Sequence, residues 1–166
     1  CLKNITSGAL CTCLMAIDYI NNEDELIIAN NDQIITTDYN EILCYFRKQR
    51  FDCGVICFDS LHPRWSYVKT GGEYGDEVVE AAEKRPISNK AIAGFYYFRK
   101  GCEFVEAAKA AIQKGCMYEG NFYLTSAVNE MILKNKRTGY WEVENNRYHS
   151  FYTPERIRAF ENGGLK

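Results

Sequence analysis

Two short apolar runs, Leu26-Ile27-Ile28-Ala29 and Cys53-Gly54-Val55-Ile56-Cys57-Phe58, flank a segment of helical periodicity. No other feature limits the fold as strongly. Runs this short and this continuous read as strands buried on both faces. Between them, residues 38–49 predict a helix, with Asp38 as N-cap and Ile42, Leu43 and Phe46 on the inward side. Strand, helix and strand joined by short loops predict a crossover between parallel strands, with a right-handed connection.

The rest of the chain extends this unit without repeating it. Residues 6–20 predict a helix, because Ala9, Leu10, Cys13, Leu14, Ala16, Ile17 and Ile20 form one apolar stripe and Thr6 or Ser7 can cap its start. Residues 65–69 and 78–82 predict two strands of a hairpin around a polar, glycine-rich spacer. Residues 92–98 predict an aromatic strand. Helices follow at 103–114 and 125–134, then a strand at 138–143. Thr153-Pro154-Glu155 opens a last helix, with threonine as N-cap and proline in the first turn. At 166 residues this is one α/β domain with a mixed sheet.

Composition removes several classes. Apolar residues at 46% and charged residues at 25% are globular values, not those of a disordered chain. A net charge of −2 offers no field for nucleic acid or a membrane surface, and no segment approaches the roughly 20 apolar residues of a membrane span. Charge is uneven: residues 1–60 hold four Lys/Arg and nine Asp/Glu, whereas residues 61–166 hold sixteen and thirteen. An anionic ligand is held more easily by the later part. Eight cysteines invite a disulfide or zinc reading, but no C-x2-C pair exists, and His62 and His149 stand alone. Cys53 and Cys57 share a strand face at about 13 Å, taking ~3.3 Å per residue. The expectation is reduced, mostly buried thiols in a cytoplasmic setting.

Five segments can carry chemistry. Asp32 lies just past the first strand, where open α/β sheets bind ligands, and one carboxylate plus substrate phosphates can hold Mg²⁺. Glu83-Lys84-Arg85-Pro86-Ile87-Ser88 follows a strand. Its acid can accept hydroxyl hydrogen bonds from a sugar, and its lysine can neutralise a phosphate. His62-Pro63-Arg64-Trp65-Ser66-Tyr67 offers rings that stack on a sugar or pack in a core. In Ala93-Gly94-Phe95-Tyr96-Tyr97-Phe98 the alternation puts Tyr96 and Phe98 on one face, Phe95 and Tyr97 on the other, and Gly94 admits close approach to the backbone. Gly120-Asn121-Phe122-Tyr123 leads into a helix that carries Asn129 and Glu130.

Taken in order, these motifs resemble those of the sugar-phosphate nucleotidylyltransferases. The similarity is greatest to the bacterial nucleotidyltransferases of capsule and lipopolysaccharide synthesis. It rests on Asn30-Asn31-Asp32-Gln33-Ile34, His62 to Val68, Ala82 to Ser88, Ala93 to Phe98, Gly120 to Tyr123 and Tyr152 to Glu155, and it covers nearly the whole chain. The resemblance implies a Rossmann-like, three-layer α/β domain with a mixed sheet. It implies a reaction in which a sugar 1-phosphate or similar phosphate attacks the α-phosphate of a nucleoside triphosphate in line and releases pyrophosphate. Such chemistry is positioning and charge neutralisation. By position, Asp32 matches a Mg²⁺-holding aspartate, Glu83 the acid that binds sugar hydroxyls, and Lys84 the base that binds the acceptor phosphate. Trp65 and Ser66 fall on the sugar side, as do Gly94 and Tyr96 on the acceptor strand. Ser7-Gly8-Ala9 falls near the nucleobase segment, and Asn129 is the candidate for a second metal ligand.

One family feature has no counterpart. The Gly-x-Gly loop with an arginine, whose N–H groups wrap the triphosphate, is not in the sequence. Residues 1–166 are therefore expected to be the C-terminal two-thirds of a single nucleotidyltransferase domain lacking its first βα units, with Cys1 marking the break and the chain alone inactive. Such a domain exposes a sheet edge that another chain can complete, which leaves room for an oligomer. Two other readings remain: a glycosyltransferase using a nucleotide sugar, to which Asn30-x-Asp32 is loosely similar, and a non-catalytic domain that binds a sugar nucleotide or a partner.

Overall fold

The structure is a computed structural model and describes residues 4–72 and 75–163. Cys1, and Glu73 and Tyr74 of the expected hairpin loop, lie outside the described residues. Eight strands and six helices follow in chain order: α1 (Ala9–Leu14), α2 (Ile17–Ile20), β1 (Leu26–Ala29), β2 (Gln33–Ile35), α3 (Tyr39–Lys48), β3 (Cys53–Asp59), β4 (Tyr67–Gly71), β5 (Glu77–Ala82), β6 (Lys90–Phe98), α4 (Gly101–Gln113), α5 (Leu124–Leu133), β7 (Thr138–Glu142), β8 (Tyr148–Ser150) and α6 (Pro154–Gly163).

The main sheet runs β1-β6-β3-β7-β5-β4, and β4 also pairs with β6. That extra pairing, Tyr67 opposite Ala91, closes five of the strands into a ring. The sheet is mixed as expected, but it is not the plain open sheet of a Rossmann domain. Among the described residues only β3 and β7 pair in parallel. The predicted crossover is also altered. β1 and β3 do run the same way, yet β6 lies between them, antiparallel to both. A second, two-stranded sheet joins β2 to β8, and periodicity over three-residue strands is too short to have announced it.

Helices cover both faces. On one face α3 buries Ile42 and Phe46 with Phe51, Ile56, Phe95 and Tyr97. Asp38 caps α3, accepting a hydrogen bond from the Asn40 N–H at 2.9 Å. On the other face α1, α4 and α5 bury Leu10, Phe104, Val105, Ala127, Val128 and Met131 against Val55, Ile92, Tyr96 and Phe98. Full burial of each large side chain contributes about 1.5–3 kcal/mol. Two glycines make room for this packing. Gly54 and Gly139 face each other across the parallel β3–β7 pair. A Cβ on Gly54 would sit 2.8 Å from the Phe46 ring, and one on Gly139 would sit 2.6 Å from Phe51 Cζ.

Three expectations need correction. The helix predicted over 6–20 is broken into α1 and α2 around Met15 and Ala16. Strand β1 is not buried on both faces. It stands at the end of the strand order with β6 as its partner among the described residues, and Ile27 is 45% exposed. The seven cysteines among the described residues are all free, but only Cys53 and Cys57 are buried, while Cys44 and Cys116 are exposed. No helix among the described residues is long and apolar enough to cross a membrane.

Candidate functional site

The largest concentration of expected site residues lies around one cavity of about 300 Å³. Ala9, Trp65, Ser66, Glu83, Lys84, Gly94 and Tyr96 line it, together with Asn30, Arg64, Ile92, Tyr123, Leu124 and Tyr148. Their convergence has a simple cause. Strand β6 presents Ile92, Gly94 and Tyr96 on one face by its two-residue period. Ser66 enters β4 beside it, since its carbonyl accepts from Ile92 N–H at 2.8 Å. Glu83 leaves the end of β5, the antiparallel neighbour of β4.

Glu83 is the chemical centre of this cavity. Its Oε2 accepts from Ser66 Oγ at 2.7 Å and from Thr125 Oγ1 at 3.4 Å. No partner among the described residues engages Oε1, which can accept from a ligand hydroxyl. Burial raises the Glu83 pKa, and the hydrogen bonds from Ser66 and Thr125 and the charge of Lys84 oppose that rise. Lys84 adopts φ of 49°, a conformation that costs an L-residue roughly 1–2 kcal/mol. Its Nζ lies 5.5 Å from the ring centroids of both Tyr118 and Tyr123, and 3.5 Å from Glu119 Oε2. The strained turn thus turns an ammonium back toward the cavity wall.

Gly94 is the point of closest backbone approach. Its φ is 58°, and a Cβ there would lie 2.8 Å from Asn30 Cγ and 2.8 Å from Gln33 Oε1. Gln33 donates to the Ala93 carbonyl at 2.6 Å, and Tyr148 OH donates to Gln33 at 3.3 Å. The small β2–β8 sheet is thereby tied to the cavity rim. Gly8 has a comparable role on the far side. Phe122 N–H donates to the Ser7 carbonyl at 2.8 Å, Leu10 N–H donates to the Phe122 carbonyl at 3.1 Å, and a Cβ on Gly8 would reach 2.7 Å from Phe122 N. This places Ala9 in the lining, with Ser7 and Gly8 just outside it.

The two expected metal ligands are not brought together. Asp32 is exposed on the turn between β1 and β2, and its carbonyl accepts from Phe151 N–H at 2.8 Å. It does not line the cavity, but its charge reaches Tyr148, which does. Tyr148 is pushed up to about 12, first by burial and further by Asp32. Asn129 lies elsewhere. Its Oδ1 accepts from Ala81 N–H at 2.8 Å and its Nδ2 donates to the Ala81 carbonyl at 2.8 Å, so both ends of the amide are spent on β5. This gives Asn129 a structural contact with β5, bridging helix and strand. Among the described residues no group of three or more His, Cys, Asp or Glu is arranged to hold a metal. The donor set fits Mg²⁺ only as an ion anchored by Asp32 and otherwise carried by ligand phosphates.

Tyr148 was not foreseen, because its three-residue strand gives no periodic signal. Arg64, Asn30 and Tyr123 stood inside quoted motifs without a role.

No family model matches the sequence, and no curated protein matches it. Solved structures do match the fold. A nucleoside-diphosphate-sugar pyrophosphorylase from Vibrio cholerae RC9 is 20% identical, with a TM-score of 0.79 over 97% of this chain and 67% of that one. A UDP-glucose pyrophosphorylase complexed with UDP-glucose is 14% identical, with a TM-score of 0.77 over 97% of this chain and 63% of that one. A UTP-bound UGPase from Acinetobacter baumannii is 13% identical, with a TM-score of 0.74 over 98% and 58%. The fold is therefore that of the nucleotide-sugar pyrophosphorylases, and the chain spans about three-fifths to two-thirds of the length of these structures.

Proposed function

We propose that this chain supplies the sugar-phosphate side of a nucleotidyltransferase that joins a nucleoside triphosphate to a sugar 1-phosphate, releasing pyrophosphate, in surface polysaccharide precursor synthesis. The observation that carries this reading is the cavity, where a half-buried carboxylate, an adjacent lysine and aromatic walls surround a glycine without a side chain. Glu83 Oε1 accepts a sugar hydroxyl, while Ser66 and Thr125 hold Oε2 and fix the carboxylate plane. Lys84 neutralises the acceptor phosphate as it lines up for attack. Tyr96, Trp65 and Tyr148 exclude water beside the ring. Asp32 anchors Mg²⁺, which when bound neutralises phosphate charge. The segment Ser7-Gly8-Ala9 borders the nucleotide side.

The test is sugar-phosphate binding by the chain, followed by NMR or calorimetry with glucose 1-phosphate and glucose. Glu83→Gln is expected to weaken both ligands about tenfold, because the acceptor of the sugar hydroxyl loses its charge. Lys84→Met is expected to weaken only the phosphorylated one. Undiminished glucose 1-phosphate binding by Glu83→Gln refutes the reading. Pyrophosphate release is expected from a protein that also carries a triphosphate loop, and not from this chain alone.

A further inference from the structure

A second cavity, of about 280 Å³, lies on the other side of Trp65, and we propose that it is an anion site that takes a phosphoryl group. It shares only Arg64, Trp65 and Tyr148 with the sugar-phosphate cavity; the rest of its wall comes from the end of β3 and the loop after it, from Asn145, from β8, and from Tyr152 and the start of α6. The inference goes beyond the proposed reaction and does not depend on it.

Two guanidinium groups define the site. The Arg64 guanidinium lies 4.6 Å from the Trp65 ring centroid and 3.7 Å from that of Tyr152. Arg156, from the first turn of α6, lies 5.8 Å from the same Tyr152 ring. Elsewhere nine lysines and arginines of the described residues reach a carboxylate within 4 Å. Arg64 and Arg156 are among the others of the described residues that reach none, and they are the two cations that line this cavity. Arg64 Nε is moreover buried without a hydrogen-bond partner. A buried donor left unpaired costs about 1–3 kcal/mol, which a bound acceptor would recover.

The surroundings favour an anion with several oxygens. A guanidinium stacked on aromatic rings keeps its N–H edges free in a planar fork that matches phosphate or carboxylate oxygens. His62 is oriented toward the same space. Its Nδ1 accepts from Arg64 N–H at 3.3 Å, which leaves Nε2 as the donor of the neutral ring. Asp59 is the one acid of the lining, and the Asn145 amide grips its backbone on both sides, at 3.1 and 3.0 Å. Two permanent cations therefore outweigh one carboxylate. The phosphoryl group can belong to a separate phosphate ester, or be a second phosphate on a ligand that spans both cavities.

Trp65 reports the occupant directly. In a Trp141→Phe background, which leaves Trp65 as the only tryptophan, inorganic phosphate titrated at constant ionic strength is expected to give a saturable fluorescence change that chloride does not. Arg156→Gln, at an exposed helix position, is expected to weaken phosphate at least tenfold. Lys84→Met, which removes the cation that faces the phosphate in the sugar-phosphate cavity, is expected to leave inorganic phosphate binding unchanged, which separates this site from that cavity. Persistence of the phosphate change under saturating glucose 1-phosphate supports the site with a separate occupant. Competition between the two, with both Arg156→Gln and Glu83→Gln weakening glucose 1-phosphate, supports the site with a spanning ligand. Absence of a saturable phosphate change, or undiminished binding by Arg156→Gln, overturns the proposal.

Discussion

Replacing Asn129 by leucine tests whether its amide holds the fold or a metal. Strand β5 meets β7 at a single register position, Glu77 opposite Gly139, and beyond it the two strands part. At Ala81, which is 5% exposed, the Asn129 side chain takes the place of a strand by both donating and accepting at 2.8 Å. Leucine has nearly the same shape and removes both bonds. Each contributes about 0.5–1.5 kcal/mol net, and a buried N–H left without an acceptor costs about 1–3 kcal/mol. The expected loss is about 2–4 kcal/mol. For a urea slope of about 1–3 kcal/mol per molar, the unfolding midpoint should fall by about 1–2 M. Asn129→Asp sharpens the test. Its carboxylate keeps the bond to Ala81 N–H but faces the Ala81 carbonyl unless it is protonated, so the folded pKa of the new acid is raised. A raised pKa means stability that is present at acid pH and lost as pH rises through it. The aspartate variant should therefore approach the parent in acid and fall away near neutrality. A leucine midpoint within about 0.3 M of the parent, with the slope unchanged, would refute the clamp. So would an aspartate variant that gained Mg²⁺ binding without losing stability.

Three further outcomes are expected. Burial raises the Glu83 pKa in the folded chain, so its contribution to stability is full below the unfolded carboxylate pKa and is lost as pH rises through the folded value. Urea midpoints measured from pH 4 to 7 should show that decline, and Glu83→Gln should flatten it while weakening sugar-phosphate binding. Gly139→Ala drives a methyl into the Phe51 ring and should cost about 1–3 kcal/mol in chemical denaturation, with partial recovery in the Gly139→Ala, Phe51→Leu double variant. Gly94→Ala combines a left-handed φ with collision against Asn30 and Gln33. It should lose stability and, by displacing Asn30 in the lining, also weaken glucose 1-phosphate in the same titration.

Much of the chain was legible where periodicity was long. The boundaries of α3, β3, β6, α4 and α5 fall close to their apolar patterns, and the Asp38 cap and the Thr153-Pro154 start are local chemistry. Strand order was less legible. That β6 inserts between β1 and β3 depends on the packing of aromatic faces far apart in sequence, which no window contains. Glu83, Lys84, Ser66, Gly94 and Tyr96 could be named because each sits at a strand end or alternates along a strand, and the strands then carry them to one cavity. The contact of Asn129 with Ala81 was not legible, because an amide in a helix looks the same whether it faces a metal or a backbone. Tyr148, Arg64 and Arg156 acquire roles only through β8 and α6, whose placement rests on three-residue pairing with β2 and on stacking around Tyr152.

The side of β1 that has no partner strand among the described residues has a colloidal consequence. Its four residues, Leu26 to Ala29, carry no charge, and Ile27 shows nearly half its surface to water. Such a border attracts any extended apolar backbone, including that of another copy. Solubility should then fall with concentration more steeply than a net charge of −2 alone would suggest. A lysine in place of Ile27 should keep the protein clear at concentrations where the parent turns cloudy, with the ring of strands behind it undisturbed.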